Sequence, residues 1–387
     1  MSTRGAAEIG AGLEPARTAR AIATGERIHV VGAAGAGASA AALLAVWSGA
    51  AVDGCDPGGS GQYTPALEAA NVPVWPAHDA SHVRRTPQPE RLAVTKALTA
   101  IDPDNPELVA ARERGIPLES WQQVVADAAA GRRLVAVAGT HGKSTSSGWL
   151  VHVLAAGGAD PGAFVGALLP ASLTGIGLPA TARRGRGAPF VVEADEYAGN
   201  FDPYRPEVAI ITSAEWDHPD VFADRAAVLA AFEAWIRRMG AGGADGASPR
   251  IPILVANVAD DGVAELAGRL ADWPGRIVAT AVVDIASQRL DAFVRDISDQ
   301  FRTATGPASP LLGRVTAAER DTTVLEVVGL DVQTGPRTVR LPTAGRHNAA
   351  NALGVAGAAA AVGLSAAAIT QGLATFPGVG RRLERKG

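Results

Sequence analysis

The stretch Leu134-Val135-Ala136-Val137-Ala138-Gly139-Thr140-His141-Gly142-Lys143-Ser144-Thr145 constrains the fold more than any other part of the chain. An apolar, β-branched run stops at a glycine turn, and Gly142-Lys143-Ser144-Thr145 opens a helix-like segment reaching Ala155. Strand, turn and helix in that order make a cradle for a polyphosphate, because successive backbone N–H groups and the helix N-terminus converge on one anion. Lys143 is expected to reach the β- and γ-phosphates, and the Ser144 hydroxyl to ligate Mg²⁺. ATP is the expected ligand of Gly139, Thr140, His141, Gly142, Lys143, Ser144 and Thr145. One departure is visible: Val137 stands where the common phosphate-loop pattern has glycine, so this is a shorter variant. The alternative is a plain strand-turn-helix corner with an exposed lysine. It is disfavoured because the chain has only three lysines, Lys96, Lys143 and Lys386.

At 387 residues the chain is long enough for two or three domains. A net charge of −4 argues against a general nucleic-acid footprint. The single cysteine, Cys55, excludes a disulfide framework and any multi-cysteine metal site. No apolar run approaches the length of a membrane span. Residues 1–26 are rich in Ala and Gly, lack an apolar signal core, and read as a disordered tail. The expected compartment is the cytoplasm.

Arg27–Val31 reads as a buried strand, followed by the glycine loop Gly32 to Gly37, a small-residue helix to about Trp47, and a strand Ala51–Cys55 ending at Asp56. The spacing G-x-x-G-x-G differs from the dinucleotide fingerprint G-x-G-x-x-G. Asp56 sits where an acid would meet a ribose, or is simply a solvated strand-end aspartate. The turn Asp102 to Glu107 starts a helix, and Gly131-Arg132-Arg133 is a plausible junction. Beyond the phosphate loop, Pro189–Glu193, Glu207–Thr212 and Ile251–Ala256 read as strands, and Thr323–Leu341 alternates as antiparallel strands do. The predicted fold class is α/β. A Rossmann-like domain spans 27–131, a phosphate-loop α/β domain with a mainly parallel sheet spans 132–378, and residues 379–387 begin a linker.

Strand C-terminal ends in open parallel sheets converge on the ligand crevice. Glu193 ends one such strand, and His218 follows another within a polar Glu-x-Asp-His-Pro-Asp run. Taken alone, Glu193 could be a capping acid and His218 a turn histidine. Together with Ser144 they are the expected metal and catalytic set beside Lys143, since Mg²⁺ favours hard oxygen ligands and phosphates.

Four segments in this order, Gly139–Thr145, Val192–Tyr197, Ile211–Asp220 and Gly345–Asn351, resemble the Mur ligases, ATP-dependent amide-forming enzymes of peptidoglycan synthesis. Phe376–Glu384 is similar to the family's segment between its central and last domains. Ile28–Gly32, Asp56 and Asp104–Pro117 are similar to the UDP-sugar-binding domain of its alanine-adding branch. The resemblance covers about residues 27–387. It implies UDP-N-acetylmuramate and L-alanine as substrates, joined through an acyl phosphate at the expense of ATP. It implies a UDP-binding role for Gly32, Gly35, Gly37 and Asp56, an adenine contact for Asn348, and a nucleotide-pocket role for Arg382. It also implies Mg²⁺ on Ser144 and Glu193, with His218 at or near a second Mg²⁺. No lysine lies between Lys143 and Lys386, so a carbamylated lysine at that second metal is not expected. The family's third domain would begin near Gly387, and its absence from this chain could leave the polypeptide inactive alone. A recycling ligase that attaches a tripeptide to the same UDP-sugar, and a non-catalytic nucleotide-binding module, remain open alternatives.

Overall fold

The computed structural model describes residues 8–240, 250–284, 289–330 and 335–380. The chain divides into two compact units at Gly131/Arg132, and the first unit also takes in 164–184 and 197–204 from within the span expected to be the second domain.

The first unit is built on β1 (Arg27–Val31), β2 (Ala51–Cys55), β3 (Val74–Trp75), β4 (Arg91–Val94) and β5 (Leu118–Ser120), in the order β3-β2-β1-β4-β5. Every pairing is parallel, which requires crossover helices and buries both faces. The helix Ala36–Trp47 supplies one covering layer through the buried run Ala38 to Ala45, all Ala or Ser except Leu43 and Leu44. Small residues allow close approach. A Cβ on Gly37 would lie 2.2 Å from the Trp121 ring, so this helix and Trp121–Ala128 pack through a missing side chain. The added segment 164–184 joins the same helix: Thr181 Oγ1 donates to Ala36 O (2.8 Å), and Phe164 meets Trp121 edge-on at 5.2 Å.

The expectation of a disordered tail over 1–26 is corrected for its described part. Arg17 donates to Glu119 (2.8 Å) and Asp127 (2.7 Å), and Arg20 to Glu26 (2.6 Å). Buried Arg91 binds the same Glu119 and Asp127. Buried carboxylates need paired cations, and these partners lie about a hundred residues from Arg17, where local composition carries no sign of them.

The second unit opens with β6 (Arg133–Ala138). Next come β7 (Gly162–Leu169), which runs into the first unit, and β8 (Ala180–Arg183) within that unit. Then follow β9 (Pro189–Glu193), β10 (Val208–Ile211), β11 (Ile253–Asn257), β12 (Arg276–Val282), β13 (Ser309–Ala318), β14 (Thr323–Val328) and β15 (Arg337–Leu341). Its sheet order is β15-β14-β13-β12-β11-β10-β6-β9. The pairings running β9-β6-β10-β11-β12-β13 are all parallel, while β13-β14 and β14-β15 are antiparallel. The helix Arg346–Ala361 packs on the helix Lys143–Ala156 and across β10 to β13. Its glycines are spacers: a Cβ on Gly357 would lie 2.9 Å from Val255 Cγ1. Trp149, fully buried, stacks on Phe376 at 4.8 Å. Among the described residues no helix is long and apolar enough to cross a membrane.

Candidate phosphate-loop site

β10, β6 and β9 are adjacent and parallel, so their C-terminal ends open on one edge of the sheet. β6 delivers the loop 139–142, β9 the acidic run 193–196, and β10 the segment 212–218. Ligands of such sheets gather at that edge.

The loop is held from the side of β10. Thr140 Oγ1 accepts from Glu215 N (2.9 Å) and donates to Glu215 O (3.1 Å), and Ser213 Oγ accepts from His141 N (2.9 Å). Gly139 has φ +129°, and a Cβ there would lie 2.3 Å from Thr212 Oγ1, so only glycine passes under that hydroxyl. Gly142 caps the helix Lys143–Ala156 with φ +82°. The Thr140 and His141 N–H groups are thus spent on the β10 segment. The anion cradle falls to the first N–H groups of the helix, which have no intrahelical acceptor. The His141 ring is largely exposed, with Glu215 3.7 Å away.

Lys143 Nζ donates to Gly139 O (2.7 Å) and Glu196 Oε2 (3.0 Å), with Asp195 Oδ1 at 3.6 Å. Ser144 Oγ donates to Glu193 Oε1 (2.8 Å). His218, in the left-handed region at φ +58°, groups with Asp195 and Glu196, their ligand atoms lying within 4.8 Å of one another. Burial pushes the Glu196 carboxyl up; Lys143 opposes the shift and Asp195 adds to it. Hard oxygen donors, one imidazole and one lysine at a helix N-terminus are a set that fits Mg²⁺ carried by a polyphosphate.

Lys143, Ser144, Glu193 and His218 therefore lie along one sheet edge. Asp195 and Glu196, which touch Lys143, are not singled out by the sequence reading. Their signal was the Glu-Ala-Asp-Glu run directly after a strand. Asn351 was missed too: its Oδ1 lies 2.7 Å from where a Cβ on Gly142 would be. Asn348, expected at the adenine, is buried with Nδ2 donating to Ala344 O (2.7 Å). Arg382 lies outside the described residues.

In the first unit Asp56 closes the glycine loop, its Oδ2 accepting from Ala34 N (2.9 Å) and Oδ1 from Gly58 N (2.8 Å). Gly32 sits at φ +80° with its N–H on Cys55 O (2.9 Å), and Gly35 caps the following helix. Gly37, grouped with them from its spacing, is instead the packing position under Trp121.

The catalytic-domain model of the Mur ligase family matches residues 27–133, and the family's middle-domain model matches 137–359. A UDP-N-acetylmuramate–L-alanine ligase of Frankia casuarinae is 35% identical over 374 residues, covering 93% of this chain and 66% of the relative. One from a Mycobacterium species is 36% identical over 363 residues with the same coverage. The chain thus spans just under two thirds of the length of these relatives. Among solved structures, a murein peptide ligase from Psychrobacter arcticus superposes with a TM-score of 0.71 at 22% identity, over 92% of this chain and 69% of that one. A UDP-N-acetylmuramate-alanine ligase from Thermotoga maritima gives 0.67 at 24% identity, over 92% and 70%. These two likenesses speak to the fold. With the family models covering both units and the curated relatives matched over nearly the whole chain, this protein belongs to the Mur ligase family.

Proposed function

We propose that this chain carries the ATP and UDP-sugar sites of a ligase that joins L-alanine to UDP-N-acetylmuramate. The observation that carries the ATP site is the pairing of Lys143 and Ser144, at the start of one helix, with Glu196 and Glu193, at the end of the neighbouring strand. The names of relatives about 35% identical favour the substrates. In this reading ATP phosphates lie against the helix N-terminus, and Lys143 turns from Glu196 to the transferring phosphoryl group. Ser144 and Glu193 would hold a Mg²⁺, and Asp195, Glu196 and His218 would offer a second position. Bound there, Mg²⁺ supplies charge neutralisation to two anions that must meet. The lactyl carboxylate oxygen attacks the γ-phosphorus and ADP leaves. The alanine amine then attacks the acyl carbon, expelling phosphate and losing a proton as the amide forms. The first unit holds the UDP moiety at Gly32, Gly35 and Asp56. The family resemblance assigns Asn348 to the adenine and, from sequence, Arg382 to nucleotide binding.

The test is calorimetric titration of ATP with and without Mg²⁺, paired with ADP release in the presence of UDP-N-acetylmuramate and L-alanine. Mg²⁺-dependent ATP binding that Lys143→Ala abolishes supports the site; unchanged affinity in that variant refutes it. ADP release that responds to a tripeptide but not to alanine would reassign the amine substrate.

A further inference from the structure

The first unit contains a second convergence of ligand-type side chains, far in sequence from the phosphate loop. Register builds it. His29 on β1 pairs with Asp53 on β2, so the two side chains share one sheet face, and Cys55, two residues on, shares it too. His78 follows β3, and His82 lies on the short helix Ser81–Arg84. Glu107 occupies the first turn of the helix Pro106–Glu113, which Asn105 caps by accepting from Glu107 N (3.1 Å). The single cysteine and three of the seven histidines of the chain meet here.

Glu107 is the hub. Its Oε1 lies 3.2 Å from His29 Nε2 and 2.6 Å from His82 Nδ1. Its Oε2 lies 2.8 Å from Cys55 Sγ and 3.0 Å from His78 Nδ1. His29, Cys55 and Glu107 are buried, and the indole of Trp75 stacks on His82 at 4.3 Å. Burial alone would raise the Glu107 carboxyl, but hydrogen bonds from His29, Cys55 and His82 hold it down to about 2.

We propose that His29 Nε2, Cys55 Sγ, His82 Nδ1 and Glu107 form a zinc site in the first unit, with His78 beside it. Their ligand atoms lie within 4.8 Å of one another. A tetrahedral zinc site, with bonds of about 2.0–2.3 Å, places its donors roughly 3.3–3.7 Å apart, so changes of about 1 Å in their separations bring the four onto one ion. One thiolate, two imidazoles and a carboxylate form a borderline-soft set that suits Zn²⁺ better than Mg²⁺. Asp53 Oδ1 lies 2.7 Å from His29 Nδ1, and Arg85 fixes Asp53 from the other side. A carboxylate on Nδ1–H turns Nε2 inward as the ligand atom, the usual arrangement for a metal-bound histidine. Binding releases the Cys55 thiol proton to solvent, so affinity rises with pH. The ion would tie β1, β2 and both helices together, beneath the loop whose Gly32 N–H rests on Cys55 O.

Cys55 is the only cysteine, so a thiolate-to-cobalt charge-transfer band in Co²⁺-loaded protein can arise at this site alone. The full chain, stripped with chelator and titrated with Co²⁺ and then Zn²⁺, should show that band together with tetrahedral ligand-field absorption, and Zn²⁺ should displace both at one equivalent. Cys55→Ser should abolish the band. Asp53→Asn should weaken Co²⁺ binding about 10–100-fold. If Cys55→Ser does not fold by circular dichroism, His82→Gln, at the partly exposed rim, takes its place and should lose the tetrahedral absorption. Folded wild-type protein that shows no thiolate–cobalt band, or a band that survives Cys55→Ser, overturns the site. None of these readouts depends on ATP or ligase turnover, so failure here leaves the phosphate-loop reading standing, and the reverse holds too.

Discussion

Replacing Lys143 with methionine should destabilise the second unit in a pH-dependent way, and Glu196→Gln should remove that dependence. Lys143 Nζ lies 3.0 Å from Glu196 Oε2, and the two side chains are 14% and 2% exposed. At that separation and an effective dielectric of about 20, the attraction is about 5–6 kcal/mol, an upper bound. Removing one partner of a buried pair costs about 3–5 kcal/mol, because the other charge is left without compensation. Glu196 has an escape: it can take up a proton. Burial already lifts its carboxyl above the ordinary 4.5, with Asp195 adding to the rise and Lys143 opposing it. Without Lys143 the folded-state value moves higher still.

Between 4.5 and that raised value, the native Lys143→Met protein holds a proton that the unfolded chain has released. Stability therefore falls as pH rises through this window, and the full cost appears above it. The expected deficit is about 2–4 kcal/mol at pH 8 and under about 1 kcal/mol near pH 5. For a unit of this size that is roughly 5–15 °C in melting temperature at the higher pH. Tryptophan fluorescence melts report on this unit, since Trp149, Trp235 and Trp273 are all buried in it. Lys143→Met/Glu196→Gln should melt near wild type at both pH values. Equal losses at pH 5 and pH 8, or a deficit that the double variant does not relieve, would refute the reasoning.

Glu193→Gln should lower ATP affinity in the presence of Mg²⁺ by at least several-fold while leaving metal-free affinity nearly unchanged; paired titrations separate the two. Gly37→Ala should destabilise the first unit by about 1–3 kcal/mol, because the new methyl would sit 2.2 Å from the Trp121 ring, and Gly37→Ala/Trp121→Leu should recover part of the loss in thermal melts. The hydrogen bond from Arg20 holds the Glu26 carboxyl near 2. The stability it lends is complete above 4.5 and is lost as pH falls towards 2. Acid titration followed by circular dichroism should therefore be flatter over that range in Glu26→Gln.

The phosphate loop was legible because everything that defines it is local: a strand, two glycines that need positive φ, and a lysine at the start of a helix. The partners of that lysine were not, since Glu196 becomes its neighbour only when β9 pairs in parallel with β6, a choice made across some fifty residues. β12 and β13 escaped notice as well. β12 runs seven residues and β13 ten, with Pro310 at its second position, and β13 gains its place by pairing with β12 on one side and β14 on the other. Gly37 shows the same limit from another direction. Spacing groups it with Gly32 and Gly35, yet its reason for being glycine is an indole more than eighty residues later. The cluster around Glu107 is the extreme case. His29, Cys55, His82 and Glu107 match no short motif, and each alone reads as an ordinary buried or capping residue. Only the register His29↔Asp53 puts a histidine, its orienting carboxylate and the one cysteine on a single face, and only the capped turn at Asn105 aims Glu107 at them. Chemistry assembled by strand pairing leaves no periodic trace in the chain, so it is in the register of a parallel sheet that such a site has to be sought.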